Sequence, residues 1–151
     1  MRVIILCGIP GSGKTTYARK AYPNHVILSA DDYFMVDGVY RYDEAKLQQA
    51  HGDCLRRFIG ECQSGGHDLV IDNTNTKPTD IAPYHAIATA YGYEVDILVI
   101  EAEPEVAFHR NIHGVPLEMC RVMASRLKGL AVPSWWRIAY APALPGEKEA
   151  A

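Results

Sequence analysis

The sequence predicts an α/β fold with three layers, in which a small parallel sheet of about four strands is covered by helices. Two observations predict it. Short apolar runs alternate with longer segments of helical pattern, which is the rhythm of strand–helix–strand units. Polar or glycine-rich clusters follow the apolar runs directly, and in parallel sheets such clusters meet at one edge. We expect one domain over residues 1–141, followed by a flexible tail over residues 142–151.

Four segments have the pattern of strands. Residues 2–7 are dominated by β-branched and aliphatic side chains, as in a strand buried on both faces of a parallel sheet. The other three predicted strands are shorter or less uniform, and each is bounded by turn-forming residues. They cover residues 25–28, 68–72 and 95–100.

Helical patterns fill the intervals between these strands. A first helix is predicted from Gly13 to about Ala21, and a long second helix lies between Asp43 and Cys62. One stripe of the long helix is apolar apart from His51, which we expect to be a core histidine. The stripe comprises Leu47, His51, Cys54, Leu55, Phe58 and Cys62. Further helices are predicted from about Pro78 to Tyr91 with Thr76 as its cap, from Pro104 to about Asn111, and from Pro116 to Gly129.

The overall composition limits the functional class. The chain has 151 residues, 48% apolar content and a net charge of −3, so it lacks the basic excess of a protein that coats long nucleic acids. Its four cysteines form no C-x-x-C pair, which favours reduced thiols. No apolar run approaches the roughly 20 residues of a membrane span, and the first run is too short for a signal peptide. We expect a cytoplasmic protein with no membrane contact.

The octet GIPGSGKT at residues 8–15 matches the phosphate-binding pattern G-x-x-x-x-G-K-[ST] at every fixed place. Glycines there allow backbone N–H groups to crowd around a triphosphate. Lys14 is expected to bridge the β- and γ-phosphates of ATP, and the Thr15 hydroxyl to ligate Mg²⁺. The alternative is a glycine-rich turn that binds nothing. The predicted nucleotide-binding residues here are Gly8, Pro10, Gly11, Ser12, Gly13, Lys14, Thr15 and Thr16.

Two clusters of polar residues follow other strands. Asp72 ends a hydrophobic strand, which is typical of a carboxylate that holds Mg²⁺ directly or through water. The next residues, including Asn73 and Asn75, suit hydrogen bonding to an acceptor or fixing the loop, and a pure Asx-turn role fits equally well. Asp31 and Asp32 follow the second strand and are predicted to bind the acceptor, and Asp31 is predicted to be the base for an acceptor hydroxyl. The alternative is that this segment only caps a turn.

The one basic region lies between Val106 and Tyr140, with five Lys or Arg residues against one acid. Arg110 precedes a break between two helices, so it is a candidate lid arginine for the transferring phosphoryl group. Arg126 can reach either nucleotide or solvent. His113 can donate to a phosphate when the lid closes, although a loop histidine is more often exposed.

The segments GIPGSGKTTYAR, SADDYF, VIDNTN and HRNIHGVP, in this order, resemble a P-loop ATP-binding kinase-like family of the AAA-domain type. That family includes the 5′-hydroxyl kinase domain of phage-type polynucleotide kinase. The resemblance implies a P-loop fold of adenylate-kinase type with a helical lid and Mg·ATP as phosphate donor. It also implies that Lys14 and Thr15 hold the phosphates and metal, that Asp31 is the base, and that Arg110 is a lid arginine.

The chain departs from the polynucleotide kinase pattern at two places. Phe34 stands where an acceptor-binding arginine follows the D-D-Y triplet, and His113 stands in place of a second lid arginine. We therefore expect an ATP-dependent kinase that acts on a hydroxyl, with a polynucleotide 5′-hydroxyl first among acceptors. A kinase for a nucleoside or another small metabolite, and a non-catalytic ATP-binding module, are the alternatives. The sequence leaves the oligomeric state and the choice between ATP and GTP open.

Overall fold

The computed structural model describes residues 1–143. Its first half begins with strand β1 and helix α1, and continues through short strands to the long helix α2. The second half alternates strands and helices and ends on a strand. In chain order the elements are β1 (Arg2–Cys7), α1 (Lys14–Ala21), β2 (Val26–Leu28), β3 (Met35–Val36), β4 (Val39–Tyr40), α2 (Leu47–Ser64), β5 (Leu69–Asp72), α3 (Pro78–Ala90), β6 (Glu94–Glu101), α4 (Pro104–Arg110), α5 (Leu117–Lys128) and β7 (Arg137–Pro142).

The main sheet has five strands in the order β2, β5, β1, β6, β7. Every neighbouring pair is parallel, and Ile5 of β1 lies opposite Ile71 of β5 and Ile97 of β6. Because the strands are parallel, their carboxyl ends share one edge of the sheet. The loops after β1, β2 and β5 therefore lie together.

Alternate residues of the strands face opposite sides of the sheet. On one side, residues such as Ile5, Ile71 and Ile97 pack with buried residues of α2 and α3, including Phe58 and Ile81. On the other side a smaller cluster packs against α1 and consists of Ile4, Leu6, Ala18 and Val70. The predicted three-layer α/β fold is confirmed.

The number of strands differs from the prediction, because β7 adds a fifth. Only Ile138 and Ala141 of β7 are partly buried and its other residues are exposed, and Ile138 pairs with Ile97 at the edge of the sheet. Such an edge strand needs only one apolar face, so it lacks the continuous apolar run by which the central strands are recognised. The strand extends through Pro142, and the N–H of Ala143 donates to the carbonyl of Glu101 at 3.0 Å. The first residues of the predicted tail are thus part of the sheet edge, and residues 144–151 lie outside the described residues.

Two local predictions are corrected. The buried stripe of α2 consists of Ala50, Cys54, Phe58 and Cys62, one residue every turn. Leu47 and His51 are exposed, because the buried stripe runs through Ala50 and the residues at four-residue intervals after it. The cap of α3 is Lys77 rather than Thr76, and its N–H donates to the Asp80 carboxylate at 3.3 Å.

A hairpin of the two short strands β3 and β4 stands beside the sheet. Its turn is Asp37-Gly38, and both residues have positive φ, 51° and 77°. This is the geometry that Asp-Gly turns supply in two-residue hairpins. The hairpin was missed in the sequence, although this dipeptide between apolar residues was a signal for it.

Two general expectations concern thiols and membranes. Cys7, Cys54, Cys62 and Cys120 are all buried and outside any disulfide, as predicted. Among residues 1–143, no helix combines the length and apolar character needed to cross a membrane.

Candidate active site

The end of β1 is bonded to the loop after β5. The N–H of Gly8 donates to the carbonyl of Thr74 at 2.9 Å, and Nδ2 of Asn75 donates to the carbonyl of Leu6 at 2.7 Å. Asn75 is buried and has a positive φ of 45°, a conformation that asparagine adopts more readily than most residues. These bonds fix the start of the glycine-rich loop against the end of β5.

The glycine-rich loop, residues 8–15, has the backbone that its glycines predict. Gly13 has a φ of 88° and directly precedes α1, so the loop leads into the positive end of a helix. Ser12 and Lys14 are buried. The Lys14 ammonium donates to the carbonyls of Gly8 and Ile9, at 3.0 Å each, which keeps this cation at the loop.

Thr15 and Asp72 meet at the centre of the edge. The Thr15 hydroxyl donates to Oδ2 of Asp72 at 2.7 Å. Burial raises the pKa of Asp72, while the charge of Lys14 and the bond from Thr15 lower it by less. A hydroxyl and a carboxylate in contact are oxygen ligands that Mg²⁺ prefers, and Mg²⁺ usually takes its remaining ligands from water and substrate phosphates.

The segment after β2 separates its two aspartates. Asp32 caps the turn, because its carboxylate accepts from the N–H of Ser29 at 3.2 Å and from Arg57 at 3.3 Å. Arg57 also donates to the carbonyl of Ser29 at 2.8 Å. The Ser29 side chain accepts in turn from the N–H of Asp31, so Ser29 and Asp32 share the capping role weighed for this segment, and the acceptor-binding role predicted for Asp32 stays a prediction.

Asp31 is exposed and lies on the side of the hairpin. Its Oδ1 accepts from the Tyr40 hydroxyl at 3.1 Å, and its Oδ2 lies 3.7 Å from Nε2 of His113. The negative charge of Asp31 also contributes to the raised pKa of Asp72. Asp31 directly follows Ala30, and the segment after β5 is hydrogen-bonded to both Ala30 and Gly8 of the glycine-rich loop.

Asn73 and Asn75 use their amides inside the protein. Oδ1 of Asn73 accepts from the N–H of Ala30 at 2.8 Å, and its Nδ2 lies 3.7 Å from Sγ of Cys54. Both asparagines are buried. These contacts favour the alternative role of fixing the loop over contact with an acceptor.

The end of α4 packs against the glycine-rich loop. A Cβ at Gly11, where φ is 79°, would overlap the carbonyl oxygen of Ala107 and lie 3.1 Å from the nitrogen of Asn111. Arg110 lies between these two residues and is partly exposed. The structure thus brings the backbone that carries Arg110 beside the loop.

The remaining basic candidate lies on α5. Arg126 is exposed in the last turn of this helix, and the nucleotide-binding role predicted for it stays a prediction. The connection between α4 and α5, residues 111–116, is shaped by Asn111, which accepts from the N–H of His113 at 2.8 Å and donates to the carbonyl of Val115 at 3.1 Å. This connection carries His113 to Asp31.

A protein-family model matches most of the chain. The family is described as an AAA domain, and the match covers residues 3–113, which contain the glycine-rich loop, Asp31, Asp72 and Arg110. The chain belongs to this AAA-domain family. Its members share a kinase-like P-loop domain, and residues 8–15 are the P-loop of this chain.

Curated relatives of this AAA domain are much longer proteins. The chain is 33% identical over 139 residues to human NEDD4-binding protein 2, covering 87% of this chain and 8% of that protein. It is 26% identical over 125 residues to a protein of Autographa californica nuclear polyhedrosis virus named as a bifunctional polynucleotide kinase/RNA ligase, covering 73% of this chain and 18% of that protein. The chain therefore spans a small part of these relatives.

Solved structures with this fold include kinases. The Pnkp1/Rnl/Hen1 RNA repair complex matches with a TM-score of 0.68 and 20% identity, over 85% of this chain and 44% of that chain. A gluconokinase from Sinorhizobium meliloti 1021 matches with a TM-score of 0.60 and 14% identity, over 96% of this chain and 84% of that chain. At these identities the similarity establishes the P-loop kinase fold.

Sequence reasoning missed one residue that contacts Asp31. Tyr40 lies on β4, and it meets Asp31 only because the hairpin folds back. The Asp37-Gly38 turn could have indicated the hairpin, but no sequence pattern predicted its contact with Asp31.

The contact between the P-loop and α4 predicts the effect of Gly11→Ala. Gly92→Ala is a matched control, because Gly92 has a φ of 84° and no atom within 4 Å of a new Cβ. Both substitutions strain the backbone, but only the first forces a side chain into Ala107, so it should cost roughly 1–3 kcal/mol more. Urea unfolding of both variants measures the difference. Equal losses of stability would contradict the packing described.

The buried carboxylate predicts a pH dependence for Asp72→Asn. Because the folded-state pKa of Asp72 is raised, its contribution to stability is greatest below the unfolded-state pKa and is lost as pH rises through the folded-state value. The amide does not titrate. The variant should therefore gain free energy of unfolding relative to the unmodified protein as pH is raised from about 4, the ordinary pKa of aspartate, to about 7.

Urea unfolding at both pH values tests this, with Asp37→Asn as the control for removal of an exposed carboxylate. A difference between variant and parent that is constant with pH would contradict the desolvation of Asp72.

Proposed function

We propose that this domain transfers the γ-phosphate of Mg·ATP to a hydroxyl group, with a polynucleotide 5′-hydroxyl as the first acceptor. The proposal rests mainly on the position of Asp31. Its exposed carboxylate follows Ala30, and the segment after β5 that bonds to Ala30 also bonds to Gly8 of the P-loop, which supports a position of Asp31 near the donor site. Two relatives support the choice of acceptor: the viral protein is named as a polynucleotide kinase, and one structural neighbour belongs to an RNA repair complex.

The donor side would be held by P-loop residues and two oxygen ligands. ATP bound with Mg²⁺ supplies the phosphoryl group and neutralises part of its charge. The Lys14 ammonium would supply the positive charge that binds the donor phosphates. The Thr15 hydroxyl and the Asp72 carboxylate, which are in contact, would supply two oxygen ligands for the metal. Arg110, carried on the backbone beside the P-loop, supplies a further positive charge for the transferring group.

On the acceptor side Asp31 acts as the base. It accepts the hydroxyl proton while the acceptor oxygen forms its bond to phosphorus and the bond from phosphorus to the diphosphate oxygen breaks. The bond from Tyr40 holds Oδ1 and fixes the orientation of the carboxylate. Each carboxylate oxygen can accept more than one hydrogen bond, so Oδ2 can receive the proton.

A kinase for a nucleoside or another small hydroxyl compound is the second candidate. The net charge of −3 favours it, as does Phe34, which is buried where polynucleotide kinase has an acceptor-binding arginine. An acceptor panel separates the two candidates: 5′-hydroxyl oligonucleotides, nucleosides and sugar acids, each incubated with labelled ATP.

Asp31→Asn should abolish most of the transfer. The amide keeps the size of the side chain and can still accept from Tyr40, but it cannot take a proton, so the rate should fall by about 10²–10⁴-fold. Asp37→Asn, an exposed aspartate in the same hairpin, should leave the rate unchanged. Labelled product from the best acceptor measures both.

Retained transfer in Asp31→Asn would overturn the assignment of the base. ATP binding by the unmodified protein with no product from any acceptor would overturn phosphotransfer, and would favour a non-catalytic ATP-binding module.

Lys14→Ala should reduce transfer by about a hundredfold or more, because one preorganised electrostatic contact is lost. Lys128→Ala, which removes an exposed lysine at the end of α5, is the matched control. Steady-state rates with saturating acceptor test the pair. Equal rates in the two variants would contradict a role for Lys14 at the donor phosphates.

A further inference from the structure

Two tyrosine rings extend outward from Asp31. Tyr40 is the last residue of β4, and Tyr42 follows it two residues later, beyond the end of the strand. Their rings are nearly parallel, at an interplanar angle of 14° and a centroid distance of 6.5 Å. Phe34 is buried beneath them, and its ring centroid lies 6.2 Å from that of Tyr40 and 5.2 Å from that of Tyr42. The two tyrosines therefore form a supported aromatic surface.

This surface is attached directly to the carboxylate of Asp31. The Tyr40 hydroxyl donates to Asp31 Oδ1 at 3.1 Å, and burial together with the charge of Asp31 raises the pKa of Tyr40. Tyr40 thus stays protonated and remains a donor. The ring of Tyr42 is connected to this carboxylate through Tyr40, on which it stacks.

Core packing does not account for Tyr42. Phe34 is 2% exposed and already fills the space under the hairpin, whereas Tyr42 is 47% exposed. An exposed ring that packs on Phe34 and on Tyr40, the tyrosine bonded to Asp31, is suited to stacking with a flat group of a bound molecule.

The charges near the hairpin argue against recognition through phosphates. Segment 35–46 carries the basic residues Arg41 and Lys46 and the acidic residues Asp37, Asp43 and Glu44. This segment therefore has no excess of positive charge with which to bind the phosphates of a nucleic acid strand. Contact with a neutral ring is the interaction that this surface offers.

We propose that Tyr42 stacks against the nucleobase of the acceptor, while the 5′-hydroxyl of the same nucleotide lies at Asp31. One sugar ring separates a 5′-hydroxyl from its own base, and one tyrosine ring, Tyr40, separates Asp31 from Tyr42. The acceptor class is thus a nucleoside or the terminal nucleotide of a strand, and sugar acids are excluded. This inference rests on the proposed phosphotransfer at Asp31.

The kinetic test compares Tyr42→Ala with Tyr91→Ala. Tyr91 lies at the end of α3 and is 46% exposed, so it matches Tyr42 in exposure but not in location. Tyr42→Ala should raise KM for a 5′-hydroxyl oligonucleotide by roughly tenfold with little change in kcat, as expected for one lost base–aromatic stack. Tyr42→Trp should restore the low KM, because any flat ring can stack.

The acceptor itself provides the second arm. An oligonucleotide whose 5′-terminal residue lacks its base should show the same rise in KM with the unmodified protein. Tyr42→Ala should add no further loss with this acceptor, because the two changes remove the same contact.

A binding measurement without ATP separates this inference from the proposed function. An oligonucleotide with 5′-terminal 2-aminopurine should lose fluorescence on binding to the unmodified protein and to Tyr91→Ala, and the loss should disappear in Tyr42→Ala. If no acceptor is phosphorylated but the fluorescence loss still depends on Tyr42, the proposed function is overturned and the stacking site is retained. If transfer occurs but its KM changes neither when the terminal base is removed nor in Tyr42→Ala, the stacking site is overturned and the proposed kinase activity is retained.

Discussion

The hydrogen bonds of the segment after β5 are the constraint on which the site depends. Asn73 accepts from the N–H of Ala30, the Thr74 carbonyl accepts from Gly8, and Asn75 donates to Leu6. Leaving such a buried backbone group unpaired costs about 1–3 kcal/mol of stability, so breaking any of these bonds is expected to destabilise the protein. One segment therefore sets the positions of the P-loop, after β1, and of the aspartates, after β2.

Burial gives the acidic residues at this edge different properties. Asp72 is buried, its pKa is raised, and it contacts the Thr15 hydroxyl. Asp32 is committed to its cap and to Arg57. Asp31 is left exposed, with one oxygen bonded to a tyrosine. Three carboxylates within one crevice are thus separated into a metal ligand, a structural cap and a base in the proposed mechanism.

Two structures outside the sheet meet at Asp31. The hairpin contributes Tyr40, and the connection between α4 and α5 contributes His113, whose ring lies 4.9 Å from that of Tyr40. Nδ1 of His113 is buried without a hydrogen bond inside the described part of the chain. The two sides of the proposed acceptor site are therefore aromatic, which fits the loss of the acceptor-binding arginine at Phe34. In the proposed function, recognition by rings takes the place of recognition by that arginine.

The sequence by itself determined the α/β class, the P-loop and the positions of the central strands, because these features depend on local patterns: buried apolar runs, glycines at fixed spacing and a polar residue at each strand end. Only the tertiary structure decided which aspartate caps its turn, that β7 joins the sheet edge, and that Tyr40 reaches Asp31. Those outcomes depend on segments far apart in the chain that come together by packing and by satisfying buried hydrogen bonds. No local pattern in the sequence records such contacts.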